Sequence, residues 1–228
     1  MSYWQNLKLE KDLAIGAIRA FVQLTAVGYV LKFIFDLARW QYVIPMIVVM
    51  VLVAGKNAAR HGEGLPGAFV LVTLSIALAE FVTMVYLNII PFTPRYVIPL
   101  SGMIIGNAMV ASGLAFNRLR SEITARKAEI LSALALGATS RQAAEPALKA
   151  AVKAGMIPTV DAMKTVGLVQ LPGMMTGQII AGASPITAVK YQILVQFMLS
   201  ASVGITSMLV CLLAYRQFFT PAHQLRSL

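Results

Sequence analysis

The sequence predicts an all-α, polytopic membrane protein: a helix bundle of about six spans, with a cytoplasmic amphipathic helical hairpin between spans four and five. Three observations carry that expectation. The 228 residues are 58% hydrophobic and only 12% charged, with a mean hydropathy of +0.76, whereas a soluble domain has roughly 25% charged residues. The apolar residues gather into runs near the length of about 20 that a bilayer-crossing helix needs. The basic residues, finally, divide unevenly between the two ends of those runs, as the positive-inside rule requires.

The spans follow in order. The first, 13–35, carries Arg19 near its start and Lys32 near its end; the second, 42–55, is short; the third, 67–90, is apolar except for Glu80. The fourth is 96–116, the fifth 157–183 and the sixth 188–215, and the whole chain, 1–228, reads as one transmembrane domain. Proline and glycine mark the turns at Pro66-Gly67, at Pro91 with Pro94, and at Gly182-Ala183-Ser184-Pro185. The polar N-terminal string MSYWQNLKLEKD has no small-residue cleavage site after an apolar core, so the first span reads as an anchor and not as a removed signal peptide. Trp40, Tyr42, Tyr96, Tyr215, Phe218 and Phe219 fall at span edges, where interfacial aromatics collect.

The formal net charge is +10. In a soluble chain that surplus would suggest nucleic acid; here it reports sidedness. An inside N-terminus places 14 of the 19 Lys and Arg in the cytoplasm, among them Lys8, Lys11, Lys56, Arg60, Arg141, Lys149 and Lys164, and only Lys32, Arg39, Arg95 and Lys190 outside. Both termini are therefore expected in the cytoplasm, with the chain multi-pass in the inner (plasma) membrane.

The single long polar stretch, 117–156, reads as two helices. SEITARKAEILSALALGA puts Ile123, Ile130, Leu134 and Gly137 on one side with charges opposite. Gly137 can end that helix, and Thr139-Ser140-Arg141-Gln142 offers a capping box for the next. The second, RQAAEPALKAAVKAG, has Pro146 early and stops at Gly155. Two readings stand: a basic hairpin lying on the anionic leaflet, or a docking surface, through Ile123, Ile130, Leu134, Gly137, Arg141 and Pro146, that passes force from a soluble partner into the bundle. A nucleic-acid patch is not expected, since alanine dominates and no aromatics interleave the basic residues.

Within the membrane, Gly102-Met-Ile-Ile-Gly106 and Gly173-Met-Met-Thr-Gly177 are small-xxx-small signals for close helix packing. The fifth span is richer. Asp161 and Lys164 are three apart and can pair on one face; Pro172 breaks the helical ladder; Gln170 and Gln178 add amides. Such a helix needs protein or water around it, so it reads as either substrate-lining or structurally kinked. Glu80, near the middle of its span, reads as a cation or proton site or as a carboxylic acid bonded to a neighbouring helix. Asn107, Met174 and Met175 complete the candidate path.

No ATP-handling motif is present: Gly55-Lys56-Asn57 lacks the earlier glycine and the Ser/Thr of a P-loop. His61 and His223 lie in cytoplasmic segments, Cys211 is alone, and no metal cage can be assembled within the spans. The twelve methionines read as packing more readily than as soft-metal ligands. A membrane enzyme is the least supported class; a self-sufficient secondary transporter or channel, with Glu80 carrying the coupling ion, is the alternative to a partner-driven permease.

Several strings resemble the FetB-type permeases of ABC transporters, a family implicated in iron export: IRAFVQLTAVGYVLKFIF (18–35), IPLSGMIIGNAMVASGL (98–114), LALGATSRQA (134–143), MIPTVDAMKTVGLVQLPGMMTGQIIAG (156–182), KYQILVQFML (190–199) and AYRQFF (214–219). The resemblance spans about residues 10–220. It implies a non-enzymatic permease subunit, paired as a homodimer and assembled with two cytosolic ABC ATPase subunits that supply ATP and Mg. It also implies that LALGAT is the alanine-glycine core of a coupling loop, although Ser132 stands where a glutamate is usual. Family members commonly carry one further hydrophobic segment ahead of the spans counted here, and plant relatives are linked to aluminium tolerance and sugar-nucleotide movement.

Overall fold

A computed structural model of the chain describes residues 10–37, 39–60, 67–86, 93–220 and 222–226, apart from the side chains of Asp12, Val85 and Tyr86. Lys8, His61, Pro66, Pro91 and the end of the third expected span, 87–90, lie outside the described residues. Eight α-helices follow in order: α1 Glu10–Leu37, α2 Trp40–Ala59, α3 Ala68–Phe81, α4 Pro94–Ala125, α5 Lys127–Ala135, α6 Ser140–Thr165, α7 Gly173–Ile180 and α8 Pro185–Ala214. A π-helical turn, Val82–Tyr86, extends α3, and a 3₁₀ turn, Tyr215–Phe218, follows α8. The chain is a polytopic membrane helix bundle. Among the described residues, four helices are long and apolar enough to cross a bilayer (Leu13–Leu37, Trp40–Ala59, Pro94–Ala125 and Pro185–Phe218), and Ala68–Met84 is apolar but shorter.

Sequence chemistry explains the ends. Pro94 opens α4 and Pro185 opens α8, first-turn positions where the missing N–H is no loss. Ser184 caps α8 by accepting the Thr187 N–H at 3.2 Å. At the start of α6 the expected capping box is complete: Thr139 Oγ1 accepts the Gln142 N–H, and Gln142 Oε1 accepts the Thr139 N–H at 2.9 Å. Gly137, at φ +89°, makes the left-handed turn that ends the preceding helix.

Two expectations are corrected. The helix that carries the fourth span does not stop near 116: α4 runs on to Ala125 and carries Ile123 with it. Nothing between those positions breaks a helix, and Glu122 braces the extension by pairing with Arg118 at 2.5 Å and with Arg126 at 2.8 Å. The hairpin's first helix is thus reduced to the nine residues of α5. Nor does Gly155 stop the second helix, since α6 continues ten residues further, to Thr165. Its glycine serves packing: a Cβ there would meet the Ala111 carbonyl oxygen at 3.0 Å and the Ala115 side chain at 3.1 Å. The fifth span is broken, as Pro172 led one to expect. It is the end of α6, an irregular stretch at 166–172, and the short α7.

Helix α4 is the hub, packed by α2, α3, α6 and α8. One core cluster joins α4, α5, α6 and α8 at the hairpin end, through Phe116, Leu119, Ile123, Ile130, Ala144 and Val210; a second joins α2, α4 and α8 at the other end, through Val43, Val97, Ile104 and Val195. Helix α1 packs on the second cluster through Ile34, with Leu31 and Phe35 beside it. Most of its apolar side chains, such as Phe21, Leu24 and Tyr29, face outward as a lipid-bathed helix allows.

Candidate transport path

Contacts along α6 fix its depth in the bundle. Gly155 lies against Ala111, Ala115 and Ser207; Met156 reaches Gly204; Met163 Sδ accepts a hydrogen bond from Ser200 Oγ at 3.0 Å. Met163 is therefore level with the middle of α8, which runs Pro185–Ala214. At 1.5 Å per residue, Lys164 sits about 13 Å deeper than Gly155. Asp161 and Lys164, paired at 2.9 Å, thus stand at mid-bundle depth, and their side chains are 60% and 68% exposed. Lys164 is not at the end of the bundle; the excess of basic residues on the hairpin side is reduced by one and keeps its sign.

A groove of about 890 Å³ runs along this face between α6 and α8. Arg141, Glu145, Lys149 and Lys153 line its hairpin end, Asp161 and Lys164 its deep end, and Met156, Ile157, Val160 and Met208 lie between. Lys149 pairs with Glu145 at 2.7 Å and holds that carboxyl below its ordinary range. Glu122, on the α4 extension, is likewise held low, chiefly by the Arg126 hydrogen bond.

Just beyond Lys164 the helix breaks. Gly167 turns at φ +81° and donates its N–H to the Gln170 carbonyl at 2.9 Å, and Pro172 caps the start of α7. A cavity of about 390 Å³ opens beside the break, lined by Met163, Gly167, Pro172, Met175, Gln192 and Gln196. Gln192 is buried, and its Oε1, like that of the half-buried Gln178, has no partner among the described residues. Met174 packs on the second core cluster. The Gln170 side chain is exposed.

The remaining candidates are scattered. Asn107 is exposed on α4 and donates to the Met103 carbonyl at 2.8 Å. Glu80 lies between α2, α3 and α4, away from the α6 groove. Gly102 faces Met50, but a Cβ on Gly106, Gly173 or Gly177 would meet nothing within 4 Å, so within the subunit these glycines bring no helices together. Close approach occurs instead at Gly155 and at Gly55, which abuts Thr73. Both had a signal of the same kind in the sequence, Ala151 and Gly155 being one turn apart and Gly55 and Ala59 likewise. Of the hairpin residues, Ile123 and Ile130 are buried in the core and Leu134 packs on it, while Gly137, Arg141 and Pro146 are exposed. At the tip Leu136, which sequence reasoning did not single out, is 90% exposed.

An apolar bundle with a broken helix and a charged face at its mid-depth defines the class: a polytopic membrane protein. The chain belongs to the Uncharacterised protein family (UPF0014), which matches residues 1–219. It is 47% identical over 221 residues to UPF0014 membrane protein YjkA of Bacillus subtilis (strain 168), covering 96% of this chain and 88% of that one. It is 41% identical over 228 residues to the Probable iron export permease protein FetB of Escherichia coli (strain K12), covering 99% and 88%. Protein ALUMINUM SENSITIVE 3 of Arabidopsis thaliana is 41% identical over 230 residues, covering 100% and 84%. No solved structure matches the chain.

Proposed function

We propose that this chain is the membrane-spanning permease subunit of an ATP-driven exporter of the inner membrane, working as a homodimer with a separate cytosolic ABC ATPase, with iron as cargo. The observation that carries the reading is the exposed Asp161–Lys164 pair at mid-bundle depth. An ion pair facing hydrocarbon is strongly disfavoured, so charges at that depth face protein or a water-filled cavity. Two copies apposed along α6 would enclose such a cavity, each supplying half of it, and would give the unfilled faces of Gly173 and Gly177 a neighbour. Iron comes from the name of the Escherichia coli relative. Among the described residues no three His, Cys, Asp or Glu side chains gather to hold a metal, so the cargo would pass weakly held or as a chelate.

The ATPase would act on the tip between α5 and α6, where Leu136 projects and Gly137 fixes the turn. Behind the tip, α5, the α4 extension and α6 share one core, so a push on the tip moves α6 as a rod. The rod ends at Gly167 and Pro172, where the backbone can swing and alternate access. With both termini in the cytoplasm, tip and groove mouth face the ATPase. The test is reconstitution of the permease with its ATPase in vesicles loaded with Fe(II), other divalent metals or sugar nucleotides. ATP-dependent loss of Fe(II) is the expected result. Gradient-driven flux from the permease alone would instead establish a secondary transporter or channel.

A further inference from the structure

Between α2, α3 and α4 a carboxyl group is buried. Glu80 is 6% exposed; among the described residues its oxygens make no hydrogen bond of ordinary geometry, and Ser101 is the side chain near enough to act on it as a donor. It lines a cavity of about 390 Å³ whose other polar side chains are Thr73 and Ser101. Thr73 Oγ1 is buried and unbonded as well, and Ser101 Oγ has only the Glu80 carboxyl beside it. The other hydroxyls of this helix and its π-helical turn are bonded within it, Ser75 donating to the Leu71 carbonyl at 2.8 Å and Thr83 to that of Ala79. Buried polar groups in native proteins are nearly always bonded, and here a carboxyl and two hydroxyls converge on one small space. The contacts of Gly55 with Thr73 and of Met50 with Gly102 place Glu80 level with the middle of α2, far from either end.

We propose that Glu80, Thr73 and Ser101 form a site for one hard positive charge, a proton or an alkali-metal ion. One carboxylate neutralises one charge, and hydroxyl oxygens are hard ligands suited to Na⁺ or K⁺ and poorly suited to soft metals. A divalent ion would leave an uncompensated charge among Val48, Leu52, Ala77 and Phe81. Among the described residues no other titratable side chain lines the cavity. On α8, which also packs against α3, the titratable groups are Lys190, Tyr191 and Cys211, and none of them reaches it. The site shares no residue with the α6 groove, so it stands or falls separately from the transport reading.

Dicyclohexylcarbodiimide, which attacks protonated carboxyl groups in apolar surroundings, tests it on the full chain in vesicles, without ATPase or cargo. Mass spectrometry should find Glu80 modified, and the modification should fall several-fold as Na⁺ or K⁺ replaces choline at constant ionic strength, or as pH rises. Protection by an alkali ion, weakened in a Thr73→Val/Ser101→Ala variant, identifies the metal ion; protection by pH alone identifies the proton. Glu80→Gln should abolish the signal, and the double variant, which keeps the carboxyl, preserves the test if Glu80→Gln does not fold. Glu80 left unmodified throughout, or modified equally at every pH and ion concentration, overturns the proposal.

Discussion

Gly155 shows how much a single position can decide. Its missing side chain lets α6 lie against the backbone of α4 at Ala111, and dense interiors resist added volume. Gly155→Val is expected to cost about 1–3 kcal/mol through overpacking, read as a lower thermal midpoint of the detergent-solubilised subunit. The same glycine looked like a helix stop in the sequence, because a glycine after a basic amphipathic run fits a C-terminus as well as it fits a close contact. Asp161 and Lys164 were legible as a pair from their spacing alone. Their depth was not, since it depends on which residues of α4 and α8 face α6. In the tail, His223 Nδ1 lies 2.6 Å from Ser140 Oγ and also accepts the Ser140 N–H at 3.3 Å, tying residues after α8 to the start of α6. No pattern linked these residues, which are 83 positions apart.

At the scale of elements, α5 is set off from α4 by one non-helical residue, Arg126; the chain turns at Gly137, and α6 is launched by its capping box. Gly137 holds its left-handed turn without a Cβ, so Gly137→Ala should cost about 1–2 kcal/mol and misdirect the tip. Leu136→Asp, which disturbs no internal contact, should abolish co-purification of the ATPase while leaving the permease's own melting curve unchanged. Glu122 adds a pH signature. Its carboxyl is depressed by Arg126 and Arg118, so its pairing stabilises the α4 extension above the ordinary carboxylate value of about 4.3 and is lost as pH falls through the depressed value. Amide protection factors in 117–125, exchange corrected for its intrinsic pH dependence, should therefore hold at mildly acidic pH and fall only in stronger acid. Periodicity revealed both hairpin helices, but the junction at Arg126 escaped it because an unbroken run of helix formers carries no boundary mark. The break after Thr165 was marked in the sequence by Gly167 and Pro172, read as the points about which the fifth span swings; that it takes up all seven residues between α6 and α7 was not.

For the whole molecule, composition was enough to set the class: too little charge to cover a globule, gathered at span ends. Neither α1, which leaves most of its side chains facing outward, nor the short α3 alters that class. What composition could not show is that the most exposed charges at mid-depth share one face with the groove and the break. The central claim is that this face is wet. It is tested most directly by labelling Lys164→Cys with a membrane-impermeant thiol reagent in intact membranes, where the native Cys211 is buried and contributes little background. Rapid modification at position 164, slowed when the ATPase is trapped with ATP, is the result expected of a water-filled path. A cysteine there as inert as one introduced at lipid-facing Phe21 would contradict it.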